Sequence, residues 1–548
     1  MKVSFQAIEG YAYGCLQPSL LLKFPLEVAT EEKNTQALQR LLEAIEEQTA
    51  ERAHGTSRSE SLIEGGPANF AKAVTATNGF CGDRQFRTPK PFEENGFKVF
   101  SIPTLSTDLA WHNMVAISEF LKKSKAMFST EQVAEWLEDV KKKHRHYLPG
   151  GTNTMNFIAA AIEHGLPVKV FRRDYLIFGY GSGSRMFRSS IVDCESSVGV
   201  SLASSKADTN RLLKLSGLPV ADQARIRTLQ QAHHFASRIG YPVVVKPDNG
   251  SQGRGIFADI RDAEELAQCF AKLKESYDTI LIEKHISGDH YRIDYMGEDL
   301  IKAVRRRAPR VVGDGVSTVR ALLDRLNTDP ERLDPYSSKK IVTVDEDLER
   351  CLSKQDLSLD STPSQGQSVY LKSISNLSRG GSQEHVEDMV HAANYEMCRG
   401  IARIMRLEVL GIDILSEDLS QPWYSNGAVI CEVNAQPQLG ASGTTVYWNL
   451  LEKYVGPRAR IDLSISQKPI GRPKSLYDTS LSAIELNLSA REVLEHGCPT
   501  QYFDSLTISE DVPEPDRRAL HRLLVSVEPG PRSGRLSTDR KGAPLGRS

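Results

Sequence analysis

The chain has 548 residues, enough for about three or four domains with their own cores. Hydrophobic residues make up 40% and charged residues 25%, the proportions of an ordinary globular protein. The formal net charge of −2 gives no general attraction to nucleic acid or to an acidic membrane surface, so neither is an expected partner.

The sequence also argues against membrane spans and disulfide bonds. No stretch approaches the roughly 20 consecutive apolar residues that cross a bilayer, and the first residues lack the apolar segment of a secretion signal. None of the 8 cysteines forms a CxxC pair, so neither a disulfide framework nor a zinc site is indicated. These features predict a protein of the reducing cytoplasm. They leave the oligomeric state open, a homo-oligomer included.

The first part of the chain is assigned to an N-terminal region, residues 1–150, and an α/β unit, residues 151–204. In both, apolar residues at helical or strand spacing mark the elements. The basic run 141–146 favours a solvated surface over a substrate clamp. The predicted elements are helices over 31–52, 128–140 and 153–164, and a strand over 166–171.

From Ser205 onward the helix signals become sharper. Ser205 is a predicted N-cap for a helix that stops at Gly217. Thr228 and Asp262 each begin a capping box that is completed three residues later. Helices that alternate with strands predict a small α/β lobe. Its strands are expected at 242–246, 255–260 and 279–284, and its bounds at 218–288.

The following residues predict a large lobe, residues 289–455, which completes a domain over 205–455. It begins with a hairpin, and the polar segment 328–368 is expected to be a long excursion rather than a core. A helix over 391–405 precedes two strands, LEVLGIDIL and AVICEVNA. Residues 456–527 are expected to form an appended unit, and 528–548 a disordered tail.

The segment YPVVVKPDNGSQGRGIF, residues 241–257, predicts a strand, a glycine-rich loop and a second strand. A P-loop or dinucleotide motif needs a helix after its glycines, so neither is present. Backbone N–H groups of such a flap can fold over polyphosphate, and Lys246 at its root is a point charge for phosphate oxygens. A plain hairpin with a solvated lysine gives the same local pattern.

Alternation along the last strand brings polar residues to one face. Glu432 and Asn434 are expected to point the same way, with Cys431 and Val433 on the other face. If the two strands pair, Asp413 joins them. Carboxylate and amide oxygens suit Mg2+, which takes its remaining ligands from water and phosphates. An ordinary polar sheet face is the alternative.

The order of these motifs resembles the ATP-grasp superfamily and, within it, the ATP-grasp portion of cyanophycin synthetase. The resemblance covers about residues 150–450. The Walker-type motif of that family's Mur-ligase-like half is absent from the sequence, which predicts a relative without the second ligation. The matching segments are ASSKADTNRLL, YPVVVKPDNGSQGRGI, LIEKHISGDHYRIDYMG, RRRAPRVVGDGVSTV, DSTPSQGQSVYL, NLSRGGS, LGIDIL and CEVNAQPQL.

The resemblance implies an α/β (α+β) ATP-grasp fold, in which two α/β lobes grip ATP after an N-terminal pre-ATP-grasp region. It further implies a ligase that joins amino acids or short peptides through an acyl-phosphate. ATP and two Mg2+ ions, with Mn2+ as the alternative, would be the cofactors.

The resemblance also assigns roles to individual residues. Catalytic roles fall on Lys246, Arg292, Arg306 and Asn376, the last in a loop that closes over the intermediate. Metal binding falls on Asp413, Glu432 and Asn434. Nucleotide binding falls on Lys206, Lys246, Gly250, Ser251, Gly253, Gly255, Glu283, Lys284, Ile286, Asp289 and His290.

Two positions depart from the family. Asn210 stands where a lysine is common, which leaves the choice of Lys206 as the phosphate contact open. Gln438 stands where the family has glycine after the EVNAxP proline, and this changes the floor of the acceptor pocket. The substrates of cyanophycin synthetase therefore do not transfer directly.

Several alternatives stay open beside these assignments. The basic residues 305–310 are also compatible with a nucleic-acid patch, although no aromatic residues are interleaved with them. His290 is equally compatible with a structural role in its strand. Asp413 is less compatible with the role of a turn residue, because an apolar strand is a costly place for an unpaired carboxylate. The whole domain is also compatible with an ATP-binding regulatory protein or, less well, with a carboxylase.

Overall fold

A computed structural model describes the chain over residues 3–26, 32–50, 66–86, 89–123, 128–248, 255–333, 339–372, 375, 379–440, 444–468, 475–524 and 528–529. The chain divides into two compact units. One consists of Met1–Arg188 with Tyr447–Ser548, and the other of Ser189–Val446. The domain boundaries expected from the sequence stay predictions. Residues 530–548 of the expected disordered tail lie outside the described residues.

The first unit begins with an antiparallel sheet of order β1-β2-β4-β3, covered by helices. The helices predicted over 31–52, 128–140 and 153–164 are confirmed as α1, α4 and α5. Strands β5, β6 and β7 form antiparallel pairs. The elements are β1 Ser4–Ile8, β2 Ser19–Pro25, α1 Glu32–Ala50, α2 Gly66–Cys81, β3 Phe92–Glu94, β4 Phe97–Pro103, α3 Thr107–Lys123, α4 Thr130–His144, α5 Thr152–Glu163, β5 Val168–Arg172, β6 Tyr175–Phe178 and β7 Arg185–Arg188.

The second unit carries two larger sheets and a smaller two-stranded one. Its elements are β8 Ile191–Val192, α6 Ser197–Ala203, α7 Lys206–Leu215, β9 Gln223–Ile226, α8 Leu229–Ile239, β10 Val243–Pro247, β11 Phe257–Ile260, α9 Ala263–Lys274, β12 Ile280–Lys284, β13 Asp289–Met296, β14 Asp299–Arg307, β15 Arg310–Val312, α10 Val319–Asn327, α11 Pro330–Leu333, α12 Glu346–Ser353, β16 Ser368–Tyr370, β17 Ser382–His385, α13 Ala392–Met405, β18 Val409–Ser416 and β19 Val429–Asn434.

The C-terminal part of the chain returns to the first unit with a parallel sheet of order β21-β20-β23. In RIDLSIS, Ile461, Leu463 and Ile465 are buried at alternate positions and share a core with Ile8 and Leu21. The elements are α14 Thr445–Tyr454, β20 Arg460–Ser466, β21 Ala483–Ser489, α15 Ala490–His496, β22 Tyr502–Phe503, β23 Ser505–Ile508, α16 Glu514–Leu524 and β24 Glu528–Pro529.

The four-stranded sheet of the second unit has the order β11-β10-β12-β9 and carries α8 and α9. Strands β10 and β11 pair antiparallel, so the two predicted strands are confirmed, while residues 249–254 of the predicted loop lie outside the described residues. Two of the three predicted helix caps form as expected, and Asp262 caps α9 without the expected capping box. Ser205 Oγ accepts the N–H of Asp208, and Thr228 forms a capping box with Gln231.

The five-stranded sheet has the order β17-β14-β13-β18-β19, with antiparallel neighbours throughout. One face packs under α13 in a core that includes Tyr291, Ile293, Ile412 and Val433. The predicted pairing of the two last strands is therefore confirmed. The opposite face carries the candidate site.

The polar segment 328–368 differs from the sequence expectation, because part of it does contribute to a core. Val342, Leu348 and Leu352 are buried with Val319 and Val369 in a small cluster between α10, α12 and the β15–β16 pair. The apolar residues are sparse in the sequence, yet α12 places Leu348 and Leu352 on one side, one turn apart. A short amphipathic helix suffices to close such a core.

A buried carboxyl group in the first unit gives a testable pH dependence. Asp83 accepts hydrogen bonds from Thr104 Oγ1 and the Leu105 N–H, but its burial raises its pKa to about 7. A carboxyl with a raised folded-state pKa stabilises the fold fully at low pH. It loses that contribution as the pH rises from its unfolded pKa to about 7.

We expect the Asp83 carboxyl to contribute a loss of about 4 kcal/mol over this range, so the stability of the wild-type protein should fall by about that amount relative to Asp83→Asn. Unfolding followed at a series of pH values measures the difference. Asp139→Asn, at an exposed carboxylate 2.6 Å from Lys143, is the matched control. Parallel pH profiles of wild type and Asp83→Asn would contradict the expectation.

Candidate nucleotide and metal site

The polar face of the five-stranded sheet follows from strict alternation along β13. Tyr291 and Ile293 enter the apolar core, so Arg292 and Asp294 lie on the other face. The register of the neighbouring strands adds further ionic groups on this side. We call this set the charged face: His290, Arg292, Asp294, Lys302, Arg306, Asp413, Glu432 and Asn434.

The three predicted metal ligands lie together on the charged face. Asp413 is directly opposite Glu432, and Asn434 is opposite Gly411 on the same pair of strands. The sequence expectation of one shared face is therefore met in the geometry. Whether these residues bind metal stays a prediction.

Asp413 is held by three basic side chains. Its oxygens lie 3.0 Å from Arg292 Nη1, 3.1 Å from Arg306 Nη1 and 3.5 Å from His290 Nε2. Burial alone would raise the pKa of this carboxyl, but the two guanidinium groups hold it well below its usual range. Asp413 is therefore an anion at any physiological pH.

The remaining two candidate ligands are also paired. Lys206 Nζ lies 3.3 Å from Glu432 Oε1, and this lysine is only 9% exposed. With its amide turned to satisfy both contacts, Asn434 donates to Glu432 (3.1 Å) and accepts from Arg292 Nη1 (2.7 Å). The Lys206 assignment thus gains a geometric basis, because its ammonium reaches the charged face.

Lys246 lies at the end of β10 and forms a buried ion pair. Its Nζ lies 2.6 Å from Glu283 Oε1 on the neighbouring strand β12, and Gln223 donates to the other oxygen of Glu283 at 2.9 Å. Burial lowers the pKa of the Lys246 ammonium, but the Glu283 carboxylate outweighs it, so the net pKa is raised. Lys246 is therefore a permanent cation. Glu432 is also close enough to affect this pKa.

The predicted adenine segment lies at the end of β12. The Lys284 N–H donates to the Asp222 carbonyl, and its ammonium donates to the carbonyls of Gly240 and Tyr241. Ile286 is half-buried in the connection to β13. Asp289 pairs with Arg305 at 3.2 Å, and its side chain is partly exposed to solvent.

Parts of the two predicted loops fall outside the described residues. These are Gly250, Ser251 and Gly253 of the flap and Asn376 of the second loop. Gly255, at the end of the flap, has a φ of +70°, a conformation that favours glycine. Asp248, before the flap, accepts the Ala207 N–H at the start of α7 and pairs with Arg225 at 2.9 Å. This contact fixes the flap root to the helix that carries Lys206.

One orientation was predicted wrongly. Val433 faces the core, but Cys431 does not join it there. A β-bulge between Asp413 and Ile414 shifts the register, and Cys431 lies close enough to Lys246 and Glu283 for their charges to influence its pKa. Burial nonetheless raises that pKa to about 12, so Cys431 is a neutral thiol. An extra residue in one strand breaks simple alternation.

Two residues of the charged face, and a glycine beneath it, were not singled out from the sequence. Asp294 and Lys302 form a cross-strand pair, and Gly411 makes room for Arg292. A Cβ at position 411 would lie 1.8 Å from Arg292 Nη2. The position of Asp294, two residues after Arg292, was the signal available, because residues i and i+2 of a strand share a face.

The donor set fits Mg2+ only in combination with a nucleotide. Among the described residues, no group of three or more His, Cys, Asp or Glu side chains forms a ready metal cage. Mg2+ typically takes one or two carboxylates and completes its shell with water and phosphate oxygens. Asp413, Glu432 and the amide of Asn434 supply that number of protein oxygens.

The two sheets, the lysine at the flap root and the carboxylate and amide side chains on neighbouring strands are the features expected of an ATP-grasp fold. A family model described as the ATP-grasp domain matches residues 211–290. More particularly, the chain resembles the ATP-grasp portion of cyanophycin synthetase. The enzyme of that name from Nostoc sp. is 31% identical over 292 residues, covering 52% of this chain and 32% of the relative.

Other comparisons point to related proteins. The glutathione biosynthesis bifunctional protein GshAB of Pasteurella multocida is 25% identical over 297 residues, covering 52% of this chain and 39% of the relative. The crystal structure of a bifunctional glutathione synthetase from the same organism has 22% identity and a TM-score of 0.41, and it covers 64% of this chain and 49% of that chain. The chain thus spans well under half the length of the curated relatives named here. Within the described residues, no helix is both long and apolar enough to cross a membrane.

Proposed function

We propose that this protein is an ATP-dependent carboxylate–amine ligase that forms a peptide or amide bond through an acyl-phosphate. The observation that carries the proposal is the placement of Lys206 and Arg292 against Glu432 and Asp413 on one sheet face. The similarity to a synthetase over 52% of the chain supports it. Lys246, 2.6 Å from Glu283 at the flap root, supplies a further cation.

The chemistry explains why such a site needs charge rather than strong acids or bases. A carboxylate is a poor electrophile, because oxide is a poor leaving group. Transfer of the γ-phosphoryl group of ATP to it gives an acyl-phosphate, which an amine attacks with release of phosphate. Phosphoryl transfer depends mainly on alignment and charge neutralisation.

The charged face can exchange partners when the nucleotide binds. Lys206, Lys246 and Arg292 would turn from protein carboxylates toward phosphate oxygens. Asp413, Glu432 and Asn434 would then be released to hold two Mg2+ ions, with Mn2+ as a substitute. The bound metal would neutralise phosphate charge and align the transferred group. In the structure these cations and carboxylates pair with one another, which compensates their buried charges.

We assign the predicted adenine site to the end of β12. There Glu283 would accept a hydrogen bond from the adenine amino group, and the backbone of Lys284 and Ile286 would contact the adenine ring. Asp289 and His290 would approach the ribose. The flap with Gly250, Ser251, Gly253 and Gly255, and the loop with Asn376, would close over the phosphates. Closure of this kind excludes the water that would hydrolyse an acyl-phosphate.

The substrates we propose are amino acids or short peptides, joined in the cytoplasm. Gln438, in place of the family glycine, gives the acceptor side its own shape. A screen with ATP, Mg2+ and pooled amino acids tests the proposal by phosphate release and by mass spectrometry of products. With an 18O-labelled carboxylate substrate, an acyl-phosphate route transfers one 18O atom into the released phosphate. Label in the nucleotide instead would contradict it.

The intact ion pairs also suit a second function, an ATP-binding regulatory protein. Lys246 and Asp413 are both fully engaged without a ligand. A regulatory protein would bind ATP and Mg2+ in calorimetry but release no phosphate with any carboxylate and amine pair. Hydroxylamine, a small nucleophile that traps acyl-phosphates, extends the test to reactions whose natural amine is missing from the pool.

Gly411→Ala is expected to reduce ligase activity about a hundredfold, because the new Cβ displaces Arg292 from its place beside Asp413. Asp294 would lose its partner at the same time, so thermal stability should fall too. Gly400→Ala in α13 is the matched control, since nothing lies within 4 Å of its added Cβ. Activity of Gly411→Ala equal to that of the control would contradict this positioning of Arg292.

A further inference from the structure

The charged face continues beyond the residues assigned to nucleotide and metal. Asp294 has no exposed surface, and Lys302 lies directly opposite it in the β13–β14 register. Lys302 Nζ is 3.2 Å from Asp294 Oδ2. Ionised side chains are seldom buried to this degree without a structural or functional reason. This pair has no part in the roles proposed above.

Lys302 contacts three protein groups. Its ammonium donates to the carbonyls of Gln438 at 3.1 Å and Leu439 at 3.2 Å. Its contact with Asp294 is an ion pair without hydrogen-bond geometry. Two of the three N–H donors of the ammonium are therefore bound to backbone carbonyls.

The carbonyls that Lys302 holds belong to a segment we call the acceptor loop, residues 435–440, which directly follows Asn434. Ser190 Oγ donates to the Pro437 carbonyl at 2.8 Å and so fixes the same loop a second time. The side chain of Gln438 is exposed while its carbonyl is bound. The loop thus exposes the Gln438 side chain while its backbone is held by hydrogen bonds.

An alternating series of charges connects this loop to the predicted metal ligands. Lys302 contacts Asp294, Asp294 accepts from Arg292 Nε at 2.5 Å, and Arg292 Nη1 lies 3.0 Å from Asp413. Arg292 is only 5% exposed, and burial of its guanidinium is offset by the two carboxylates, so its pKa is raised. A row of ion pairs therefore connects the acceptor loop to Asp413.

We propose that Asp294 and Lys302 are positioning residues that fix the acceptor loop relative to the charged face, and thereby determine how the amine substrate meets the activated carboxylate. The inference rests on the proposed ligase function for its substrate side. Its structural side is independent of that function. Neither residue touches the reacting groups in this account.

Lys302→Met tests the proposal through the choice of nucleophile. We expect the KM for the amine to rise about tenfold, because the loop loses its anchor. ADP release with hydroxylamine, which is too small to need the loop, should stay within about twofold of wild type. Asp294→Asn/Lys302→Met should raise the KM for the amine by a similar factor, but only Lys302→Met is expected to keep the hydroxylamine rate, because Asp294 also pairs with Arg292. For Lys302→Met, equal losses with both nucleophiles, or no change with either, would overturn the proposal.

Hydrogen–deuterium exchange of the peptide that covers 435–440 gives a readout that needs no activity. Faster exchange in both variants is expected, and unchanged exchange would overturn the positioning role. Lys214→Met is the control, because Lys214 forms an exposed ion pair with Asp222 at 2.7 Å, away from the charged face. If the wild-type protein releases no ADP with any nucleophile, the ligase proposal fails, while the exchange result still decides the role of Lys302.

Discussion

Replacing Lys246 with Met is expected to lower amine-dependent ADP release by about a hundredfold to a thousandfold. Met has a similar length but no charge, so the phosphates lose a buried cation at the point where negative charge develops. Lys246 is 5% exposed, and its neighbour Glu283 keeps it charged, so solvent cannot replace it. Steady-state ADP release at saturating carboxylate and amine measures the loss.

The double variant Lys246→Met/Glu283→Gln separates this effect from simple destabilisation. The single substitution leaves the Glu283 carboxylate without its cation, which costs about 3–5 kcal/mol for a buried pair. The double variant removes both charges, so its thermal stability should recover while its activity stays low. If activity recovers together with stability, Lys246 acts only as the structural partner of Glu283. Lys214→Met should retain wild-type activity.

The charged face is the part of the site that sequence reasoning reached most directly. Alternation along LGIDIL and CEVNA placed Asp413, Glu432 and Asn434 on one face, and the antiparallel register confirms this. Two-residue periodicity is a local property, and the apolar residues between these positions fix the buried side. The same periodicity also places Asp294 beside Arg292.

Local reasoning failed where the backbone departs from regularity. The bulge between Asp413 and Ile414 carries Cys431 away from the face that alternation gives it. No single residue in VICEVN predicts this bulge.

The capping box expected at the start of α9 is also absent. Glu265 accepts the N–H of Arg261 rather than that of the cap residue Asp262, although Asp262 caps the helix as expected. Spacing alone does not specify which of two adjacent N–H groups a long side chain reaches.

The ion pairs of the site could not be predicted from the sequence, because they join segments far apart in the chain. Arg306 meets Asp413 across β13 within the five-stranded sheet, and Lys206 meets Glu432 where α7 packs against β19. The resemblance to a family predicts which residues bind ATP but not which protein groups they pair with. In the proposed function, these paired carboxylates compete with phosphate for each cation.

The charges of the predicted metal ligands and of their basic neighbours relate metal binding to nucleotide binding in the proposed mechanism. Along the charged face every described carboxylate of the predicted metal set already has a cation within 3.3 Å. Mg2+ alone would have to compete with these cations, whereas ATP with Mg2+ supplies anions and cations together. Metal and nucleotide should therefore bind cooperatively. Calorimetric titration of Mg2+ with and without a nonhydrolysable ATP analogue would show this as a gain in Mg2+ affinity.

Replacing Glu432 with Gln is expected to reduce activity about a hundredfold and to raise the Mg2+ concentration needed for half-maximal rate by about tenfold. The amide keeps the shape of the side chain but is a weaker ligand for a hard cation. The measurement is the rate of ADP release across a Mg2+ titration at fixed, saturating ATP.

Lys206→Met separates a metal-binding role of Glu432 from its role in an ion pair. Lys206 lies 3.3 Å from Glu432, so this variant breaks the same ion pair as Glu432→Gln but keeps the Glu432 carboxylate. If Glu432 holds a metal and Lys206 a phosphate, the two variants diverge. Glu432→Gln then shifts the Mg2+ requirement, whereas Lys206→Met raises the KM for ATP and leaves the Mg2+ requirement close to that of wild type. If Lys206 and Glu432 matter only as an ion pair, both single variants show the same rate of ADP release across the Mg2+ titration. The double variant Lys206→Met/Glu432→Gln is then as active as either single variant. That result would remove Glu432 from the metal site, and with it the separation of cations and ligands on which the proposed phosphoryl transfer depends.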